Sequence, residues 1–238
     1  MPKPYISVII PAYNEEKHIA KCLTALKYQQ YNHSYEIIVV DNNSSDKTSA
    51  IARKFQVKVV KELKQNPAAA RNAGAQIAKG NILAFTDADV IVPPNWLTSI
   101  GKAFQTQPHI VALVGTYQFK HTTKLLKFLN KLAFPTVDLI HKLLTGSFAF
   151  RGTNFAIKKQ IFLKTGGFNS EFKALEDIEL SSRVSQLGEI EYIPKLKVKT
   201  TDRRFRNRIK KYLEDFIPTY ISVVILKKPH KNSYPEIR

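Results

Sequence analysis

The first 90 residues alternate between two patterns of hydrophobic positions. Short runs rich in β-branched residues, at 5–10, 36–40, 57–60 and 82–86, predict buried strands. Between these runs the apolar residues recur every three to four positions, which predicts a helix in each connection. Strands that alternate with helices through short connections form a parallel sheet that helices cover on both faces. The pattern therefore predicts an α/β fold.

The pattern changes beyond residue 90. It predicts, in order, a helix through 96–104, a strand at 111–117, an amphipathic stretch at 124–144 that Pro135 interrupts, a helix from about Lys159 and a helix that opens at Glu176. A dense basic run at 203–211 and an apolar run at 216–226 follow. We therefore separate a domain at 1–200 from a basic, partly amphipathic C-terminal extension at 201–238.

Polar residues follow three of the predicted strands, each at its carboxyl end. They are the pairs Tyr13 and Glu15, Asp41 and Asn43, and Asp87 and Asp89. Ligands of parallel sheets bind outside this edge. In the tripeptide Asp87-Ala88-Asp89 the two carboxylates leave an extended segment on the same side. Because Mg²⁺ binds a few carboxylates together with phosphate oxygens and water, the tripeptide predicts a metal-bound diphosphate.

The charge of the chain is strongly unbalanced. It holds 37 Lys and Arg against 19 Asp and Glu, a net charge of +18 over 238 residues. Such a surface attracts polyanions, which include nucleic acids, anionic lipid headgroups and phosphate-rich substrates. The single cysteine, Cys22, excludes an internal disulfide, and its helical spacing with Leu23 and Leu26 predicts a core position.

No apolar run reaches the roughly 18–20 residues that a helix needs to cross a bilayer. No signal peptide precedes the first predicted strand. We therefore expect a cytoplasmic protein.

Seven short motifs, taken together, resemble those of the family 2 glycosyltransferases, which have the GT-A fold. They lie in the family's order at 7–16, 38–46, 70–74, 85–89, 152–157, 166–168 and 176–177. The resemblance spans about residues 5 to 190 and implies a GT-A type, Rossmann-like, mostly parallel sheet flanked by helices. It also implies an inverting transfer of a sugar from a nucleoside-diphosphate sugar to an acceptor hydroxyl. The Gln-x-x-Arg-Trp motif of processive polymer synthases is absent after Asp177, which favours the transfer of a single sugar.

The resemblance places the donor in the first part of the domain, 1–117. The residues implied to bind the nucleotide-sugar are Pro11, Ala12, Tyr13, Glu15, Asp41, Asn43, Arg71, Asp87, Ala88 and Asp89. Asp89, together with Asp87, would bind a divalent metal, Mg²⁺ or Mn²⁺, and Asp41 would bond a uracil-like base. Arg71 either reaches the base or diphosphate or forms a surface salt bridge. Tyr13 either stacks on the base or packs only against protein.

The second part, 118–200, would take the acceptor. Asp177 matches the family's general base, which removes the acceptor proton, and Glu176 would orient the acceptor. Alternatively, both acids only favour the start of a helix. Further residues implied on the acceptor side are Gly152 and Asn154, and those implied to clamp the diphosphate are Arg203 and Arg204. A solvated basic helix is the alternative for this arginine pair.

The basic segments suggest a further partner. Residues 124–144 and 203–226 mix apolar and basic positions, as do segments that lie on anionic membranes. We therefore expect a protein peripheral to the inner face of the plasma membrane, with a glycan or a lipid-linked intermediate as acceptor. Alternatively, the apolar faces of these segments complete the core or a dimer contact.

Two other functions stay open at this point. A nucleotidyltransferase acting on sugar phosphates would also use an α/β sheet, a metal and acidic strand ends. It would usually have a Gly-rich, basic loop after the first strand, where this chain has the acidic segment 11–16. A non-catalytic polyanion-binding protein would explain the charge, but acids at the strand ends repel phosphates unless a metal intervenes. We expect no nucleic-acid partner.

Overall fold

The computed structural model describes residues 6–120, 134–172, 174–203 and 209–229. Seven strands in these residues form one sheet: β1 (Ile6–Ala12), β2 (Tyr35–Asp41), β3 (Lys58–Lys61), β4 (Ile82–Phe85), β5 (Ala112–Phe119), β6 (Phe155–Lys158) and β7 (Ile190–Thr200). The described helices are α1 (Ile19–Lys27), α2 (Thr48–Lys54), α3 (Pro67–Ile77), α4 (Trp96–Thr106), α5 (Phe134–Thr145), α6 (Lys159–Lys164), α7 (Glu176–Val184) and α8 (Ile209–Tyr220), which a π-helical turn (Ile221–Ile225) extends.

The sheet has the strand order β3-β2-β1-β4-β6-β5-β7. The first four strands of the chain pair in parallel, as does β5 with β7, whereas β6 runs antiparallel between β4 and β5. The sheet is therefore mostly parallel, which confirms the predicted α/β class. The hydrophobic pattern does not reveal the antiparallel β6, because periodicity carries no information on strand direction.

Apolar side chains pack on both faces of the sheet. Along β1, Val8 and Ile10 belong to one apolar cluster and Ile9 to the other, as the period of two along a strand requires. The first cluster includes residues of α1 and α4, and the second includes residues of α3 and α7. A Cβ on Gly74 of α3 would lie 2.6 Å from Cγ2 of Ile9. Only glycine allows this close approach, which holds α3, the helix that carries Arg71, against the sheet.

β1 is longer than its pattern predicts. The expected strand ends before Pro11, but the observed strand continues to Ala12, with Pro11 opposite Val40 of β2. On its other side β1 pairs with β4 only as far as Ile9. Proline lacks the N–H that a second partner would need, so it is tolerated where one side of a strand has no partner.

The C-terminal part of the described chain is helical. α8 and its π-helical turn cover most of the predicted apolar run at 216–226, and α5 covers the end of the amphipathic stretch at 124–144. Residues 124–133 of the amphipathic stretch and residues 204–208 of the basic run, with Arg204, lie outside the described residues. Within the described ranges, no helix combines the length and the apolar character needed to cross a bilayer.

Candidate active site

The carboxyl ends of β1, β2 and β4 meet at one edge of the sheet. β1 and β2 end together, with Ala12 opposite Asp41, and β4 lies beside β1 with Phe85 opposite Ile9. The three pairs of polar residues singled out in the sequence follow these ends: Tyr13 and Glu15, Asp41 and Asn43, and Asp87 and Asp89. The structure thus brings all three pairs to the same edge.

The loops after β1 and β2 hold each other. The N–H of Asn14 donates to Oγ of Ser44 (3.0 Å), and the N–H of Glu15 donates to Oγ1 of Thr48 (2.7 Å). The carboxylate of Asp41 is buried and accepts the N–H of Ser44 (3.0 Å). These bonds fix the backbone on both sides of the strand ends, so this part of the site is preorganised.

The other residues expected at the donor differ in exposure. Ala12 and Ala88 are buried, Pro11 and Tyr13 are half-buried, and Asn43 is exposed in a left-handed backbone conformation (φ 64°). The two buried alanines can contribute only their backbone and close packing. Of these five residues, the last three can present side-chain atoms to a ligand.

One buried arginine joins a residue expected on the donor side to a residue expected on the acceptor side. Arg71, in α3, donates through Nη2 to Asp87 (3.0 Å) and through Nη1 to Glu176 (2.5 Å). Burial alone would lower the pKa of Arg71, but the attraction of Glu176 and then Asp87 outweighs it and raises that pKa above its ordinary value. The ion pairs of Arg71 are therefore buried, not on the surface.

Asp177 lies next to this ion-pair network. Its carboxylate accepts the N–H of Gly152 (2.7 Å) and that of Ile178 (2.9 Å). Burial and, after it, the charge of Glu176 raise the pKa of Asp177 to about 6, although Arg71 acts to lower it. A carboxylate whose pKa approaches the working pH is suited to take up a proton.

The backbone before α7 orients both acids. Leu175 has a left-handed conformation (φ 57°, ψ 27°) directly before the helix. This conformation costs free energy for a residue other than glycine, so the surrounding structure must hold it. Glu176 and Asp177 then fall in the first turn of α7, where the helix dipole favours negative charge.

The two residues expected on the acceptor side are both buried. A Cβ on Gly152 would lie 2.4 Å from Nη2 of Arg71, so the loop needs glycine to pass the guanidinium. The amide of Asn154 accepts the indole N–H of Trp96 (2.9 Å) and donates to backbone carbonyls of β5 and β7. Asn154 is fully buried, so it can shape the acceptor side only through the backbone that it holds.

A second arginine bridges two other acids. Arg203 pairs with Glu15 and, at 3.2 Å, with Asp89. The carboxylate of Asp89 also accepts the hydroxyl of Thr201 (2.5 Å). This segment reaches the site because the end of β7 exchanges hydrogen bonds with the backbone of Ile91, just after the acidic tripeptide. Of the proposed arginine clamp, Arg203 therefore lies at the site.

The acids at this edge suit a hard cation. Among the described residues, one carboxylate oxygen of Glu15 is buried and has no hydrogen-bond partner. Burial raises the pKa of Glu15 to about 7, against the effect of Arg203. In the part of the chain that the structure describes, no group of three or more His, Cys, Asp or Glu is placed to hold a metal. Mg²⁺ and Mn²⁺ fit such a site, since they bind through one or two carboxylates and complete their coordination with substrate phosphates and water.

Two residues that support the site do not stand out in the sequence. Asn42 accepts the N–H of Asn66 (2.9 Å) and donates to carbonyls of the loop after β3, which ties the end of β2 to the start of α3. Thr201 bonds Asp89. Both are ordinary polar loop residues, and the only signal for Thr201 is its place in the polar run beside Arg203.

The sheet edge, its acids and its two arginines have the chemistry that an anionic ligand bound together with a cation requires. The family model of glycosyl transferase family 2 matches residues 7–166. The chain therefore belongs to glycosyl transferase family 2, which confirms the family that the motifs predict. One relative, the glycosyltransferase AglE of Haloferax volcanii, is 45% identical over 101 residues, covering 40% of this chain and 33% of AglE. The matched part is thus about a third of that relative.

Two solved structures share the fold. The mannosyltransferase PcManGT from Pyrobaculum calidifontis, in complex with GDP-Man and Mn²⁺, has a TM-score of 0.70 at 21% identity, covering 90% of this chain and 64% of that chain. Glucosyl-3-phosphoglycerate synthase from Mycobacterium tuberculosis, in complex with Mn²⁺, UDP and glucosyl-3-phosphoglycerate, has a TM-score of 0.71 at 20% identity, covering 96% and 82%. At these identities the likeness shows the fold alone, and it confirms the predicted GT-A type.

Proposed function

We propose that the protein is an inverting glycosyltransferase that moves a single sugar from a nucleoside-diphosphate sugar, with a UDP-sugar as the first candidate, to an acceptor hydroxyl. The observation that carries this proposal is the double ion pair of Arg71. One guanidinium joins Asp87, in the acidic tripeptide, to Glu176, the neighbour of Asp177. The donor phosphate and the acceptor hydroxyl would thus meet around the buried guanidinium of Arg71. The nucleotide and Mn²⁺ ligands of the two structural neighbours support the same donor chemistry.

Asp177 would act as the general base. The acceptor hydroxyl oxygen attacks the anomeric carbon, its proton passes to the carboxylate of Asp177, and the bond from that carbon to the diphosphate breaks with its electron pair on the phosphate oxygen. Glu176 is neutralised by Arg71 at 2.5 Å, so it is the less available of the two acids. The two backbone N–H groups that donate to the carboxylate of Asp177 fix its orientation, which supports its role as base. Glu176 would orient the acceptor.

Asp89 and Asp87 would hold the metal, which offsets the negative charge on the departing diphosphate. Arg203 would clamp the diphosphate. A divalent cation on Asp89 would take over the charge neutralisation that Arg203 provides there, which leaves the guanidinium available to the phosphates. Asp41 and Tyr13 would contact the base, and Arg204 stays a prediction.

The proposed acceptor is a glycan or a lipid-linked intermediate. A lipid-linked acceptor is supported by the basic, apolar segments 124–144 and 203–226, which would meet an anionic membrane. The protein would then be peripheral to the inner face of the plasma membrane. We also propose that the chain divides into a donor part at 1–117, an acceptor part at 118–200 and a C-terminal extension at 201–238.

Calorimetric titration tests the donor and the metal together. UDP, GDP, CDP and their sugars are each titrated in the presence of Mn²⁺, Mg²⁺ or EDTA. We expect one nucleotide to bind only with metal, because the carboxylates at the sheet edge would otherwise repel its phosphates. Asp89→Ala should abolish the metal-dependent binding. Affinity that neither EDTA nor this variant changes would contradict the metal site.

Asp177→Asn separates binding from chemistry. Asparagine has one acceptor oxygen where the carboxylate uses two, so it keeps only one of the two N–H bonds, and it cannot take the proton. We expect unchanged donor affinity and a turnover lowered about 10²–10⁴-fold, the usual contribution of a general base. Glu179→Gln is the control, since Glu179 lies in the same helical turn and pairs with Arg183 instead. Near-normal turnover of Asp177→Asn would remove Asp177 as the base.

A further inference from the structure

Helix α5 presents its apolar side to solvent. The residues on this side are Leu139, Ile140, Leu143 and Leu144, which recur at the spacing of one helix face. Their side chains are between 47% (Ile140) and 77% (Leu143) exposed. A helix at the surface of a globular protein normally buries such a face against the core. The orientation of α5 is therefore reversed relative to the ordinary amphipathic helix.

Polar side chains instead anchor α5 to the protein. Asp138 pairs with Arg151, Nδ1 of His141 lies 2.7 Å from the hydroxyl of Tyr220, and Nζ of Lys142 lies 4.4 Å from the ring centre of Phe148. Burial lowers the pKa of His141 to about 4, so its ring is neutral at neutral pH. These contacts determine which face of α5 points outward.

Helix α8, which contacts α5 through Tyr220, carries a second apolar stripe together with its π-helical turn. Its members are Ile217, Ile221, Ile225 and Leu226, which are all exposed. The first three follow one another at intervals of four residues through α8 and its π-helical turn. Val223, between them, is buried. Because Tyr220 of α8 contacts His141 of α5, the two stripes lie on neighbouring helices.

We call the exposed apolar side chains of these two contacting helices the two-helix apolar surface: Leu139, Ile140, Leu143, Leu144, Ile217, Ile221, Ile225 and Leu226. They are eight of the eleven large apolar side chains that are exposed within the described ranges. The other three, Tyr28, Leu63 and Leu163, come from separate parts of the chain. Scattered exposed apolar residues need no explanation, but a concentration on neighbouring helices marks a binding surface.

The charges near this surface favour an anionic partner. Lys227 and Lys228 are exposed and directly follow Leu226. In the sequence, five basic residues precede the second stripe, Arg204, Arg206, Arg208, Lys210 and Lys211, and two acids, Glu214 and Asp215, lie between them and Ile217, so the balance stays basic. Basic residues next to an apolar face strengthen binding to anionic lipid headgroups.

The composition of the surface favours a bilayer over a protein. Protein interfaces are enriched in aromatic residues, Met and Arg. All eight members of the two-helix apolar surface are Leu or Ile. Apolar helix faces next to basic residues are typical of helices that lie in the plane of the headgroup region.

We infer that the two-helix apolar surface inserts into the headgroup region of an anionic lipid bilayer and brings the acceptor side of the site to a lipid-linked acceptor. This inference rests on the proposed function, since it assigns the membrane contact proposed there to eight named side chains; only its second half depends on the transferase activity. Asp138 of α5 pairs with Arg151, and the next residue, Gly152, donates to Asp177. Two consecutive loop residues therefore connect the bilayer-binding helix to the proposed base.

Vesicle flotation tests the inference with the full chain. The protein is mixed with vesicles of phosphatidylcholine, alone or with phosphatidylglycerol, and floated in a density gradient. We expect flotation with the anionic vesicles and little with the neutral ones. The double variant Leu143→Gln with Ile221→Gln should bind about tenfold more weakly, since binding scales with buried apolar area. Leu163→Gln, at a leucine 58% exposed on α6, is the matched control and should float like the wild type.

Donor calorimetry on the same variants separates this inference from the proposed function. Weakened flotation of a double variant that still binds nucleotide supports the bilayer surface. If that variant loses nucleotide binding, Lys227→Glu with Lys228→Glu replaces it, and weaker flotation of this charge variant gives the same support.

Equal flotation of wild type and variants, or equal flotation on neutral vesicles, would overturn the inference. A dimer in sedimentation velocity that the double variant abolishes would overturn it in favour of a second copy. Flotation of a protein that binds no nucleotide would support the surface and contradict the transferase.

Discussion

Two arginines in this site make the same kind of contact in different surroundings. Each bridges one aspartate of the tripeptide 87–89 to a glutamate from another element. The side chain of Arg71 is 5% exposed, whereas that of Arg203 is 29% exposed. A buried ion pair is costly to break from one side, because the remaining charge stays buried, whereas an exposed pair contributes little. We infer that Arg71 is a fixed part of the site and Arg203 an exchangeable one.

The two arginines also differ in how firmly their segments are held. Arg71 lies in α3, which Gly74 holds in close contact with Ile9 of β1. Arg203 lies three residues after the end of β7, at the last described position before α8. The first arginine is therefore held by the sheet, and the second by its two acids and a short polar segment.

Replacing Arg71 should have the largest effect. Arg71→Ala leaves the buried acid Glu176 and the half-buried acid Asp87 without their counter-charge, so we expect the free energy of unfolding to fall by about 3–5 kcal/mol. Urea denaturation followed by circular dichroism measures this change. Transfer activity should be lost even at temperatures where the variant remains folded, since the acids would repel each other and the donor phosphates.

Arg53→Ala is the control for this variant, because Arg53 is exposed on α2. Its unfolding free energy should change by no more than about 0.5 kcal/mol. Arg71→Lys keeps the charge but loses the planar fork that spans two acids, so it should fall between the other two. If Arg71→Ala were as stable as Arg53→Ala, the contrast between a fixed and an exchangeable arginine would fail.

Gly152→Ala perturbs the fixed arginine without removing it. The added Cβ would lie 2.4 Å from Nη2 of Arg71, which its two acids prevent from yielding. We expect turnover to fall about 10²-fold, as small displacements of a positioned group do. Gly101→Ala is the control, since its Cβ would contact the ring of Tyr31, away from the site, at 3.1 Å. An equal loss in both variants would indicate general overpacking.

The strand ends illustrate what the sequence predicts, and the fixed arginine, Arg71, illustrates what it does not. The apolar runs predict parallel strands, and this is sufficient to place Asp41 and Asp87 at the same edge, because carboxyl ends of parallel strands coincide. The Arg71 network could not be predicted in the same way. It needs α3 and α7, which are more than a hundred residues apart at Arg71 and Glu176, to face each other, and this depends on packing over the sheet.

Arg203 and α5 are two further features that the sequence does not predict. Arg203 reaches Asp89 only because β7 runs beside Ile91, and neither β7 nor the antiparallel β6 is apparent from periodicity. For α5 the pattern predicts an amphipathic helix but not its orientation. The contacts of Asp138 and His141 with distant residues turn its apolar face outward, and a local pattern contains no record of such contacts.

The pH dependence of kcat and of KM should distinguish Asp177, next to the ion pairs of Arg71, from Glu15, which pairs with Arg203. Burial and Glu176 raise the pKa of Asp177 to about 6, with Arg71 opposing them, so the base is charged above this pH and protonated below it. We expect kcat to fall about fivefold between about pH 6 and pH 5, as the charged fraction of such a base does. Burial raises the pKa of Glu15 to about 7, against Arg203, so the KM for the donor should change near pH 7 instead. Glu15→Gln should remove the second change and leave the first. A single titration common to kcat and KM would contradict the separation.

Removing Arg203 should give the smallest effects, but with opposite signs for two ligands. Without the guanidinium, Asp89 is free of its ion pair, so Mn²⁺ alone should bind about fivefold more tightly, if this half-buried pair contributes about 1 kcal/mol. The nucleotide-sugar with Mn²⁺ should bind more weakly, because the proposed clamp is missing. Calorimetry of Arg203→Ala measures both, and Lys199→Ala removes an equal charge from an exposed side chain in β7. If both variants strengthened Mn²⁺ binding equally, the effect would come from net charge. If Arg203→Ala weakened both ligands, Arg203 would be a fixed part of the site like Arg71, because an exchangeable arginine must compete with the metal before it can assist the phosphate.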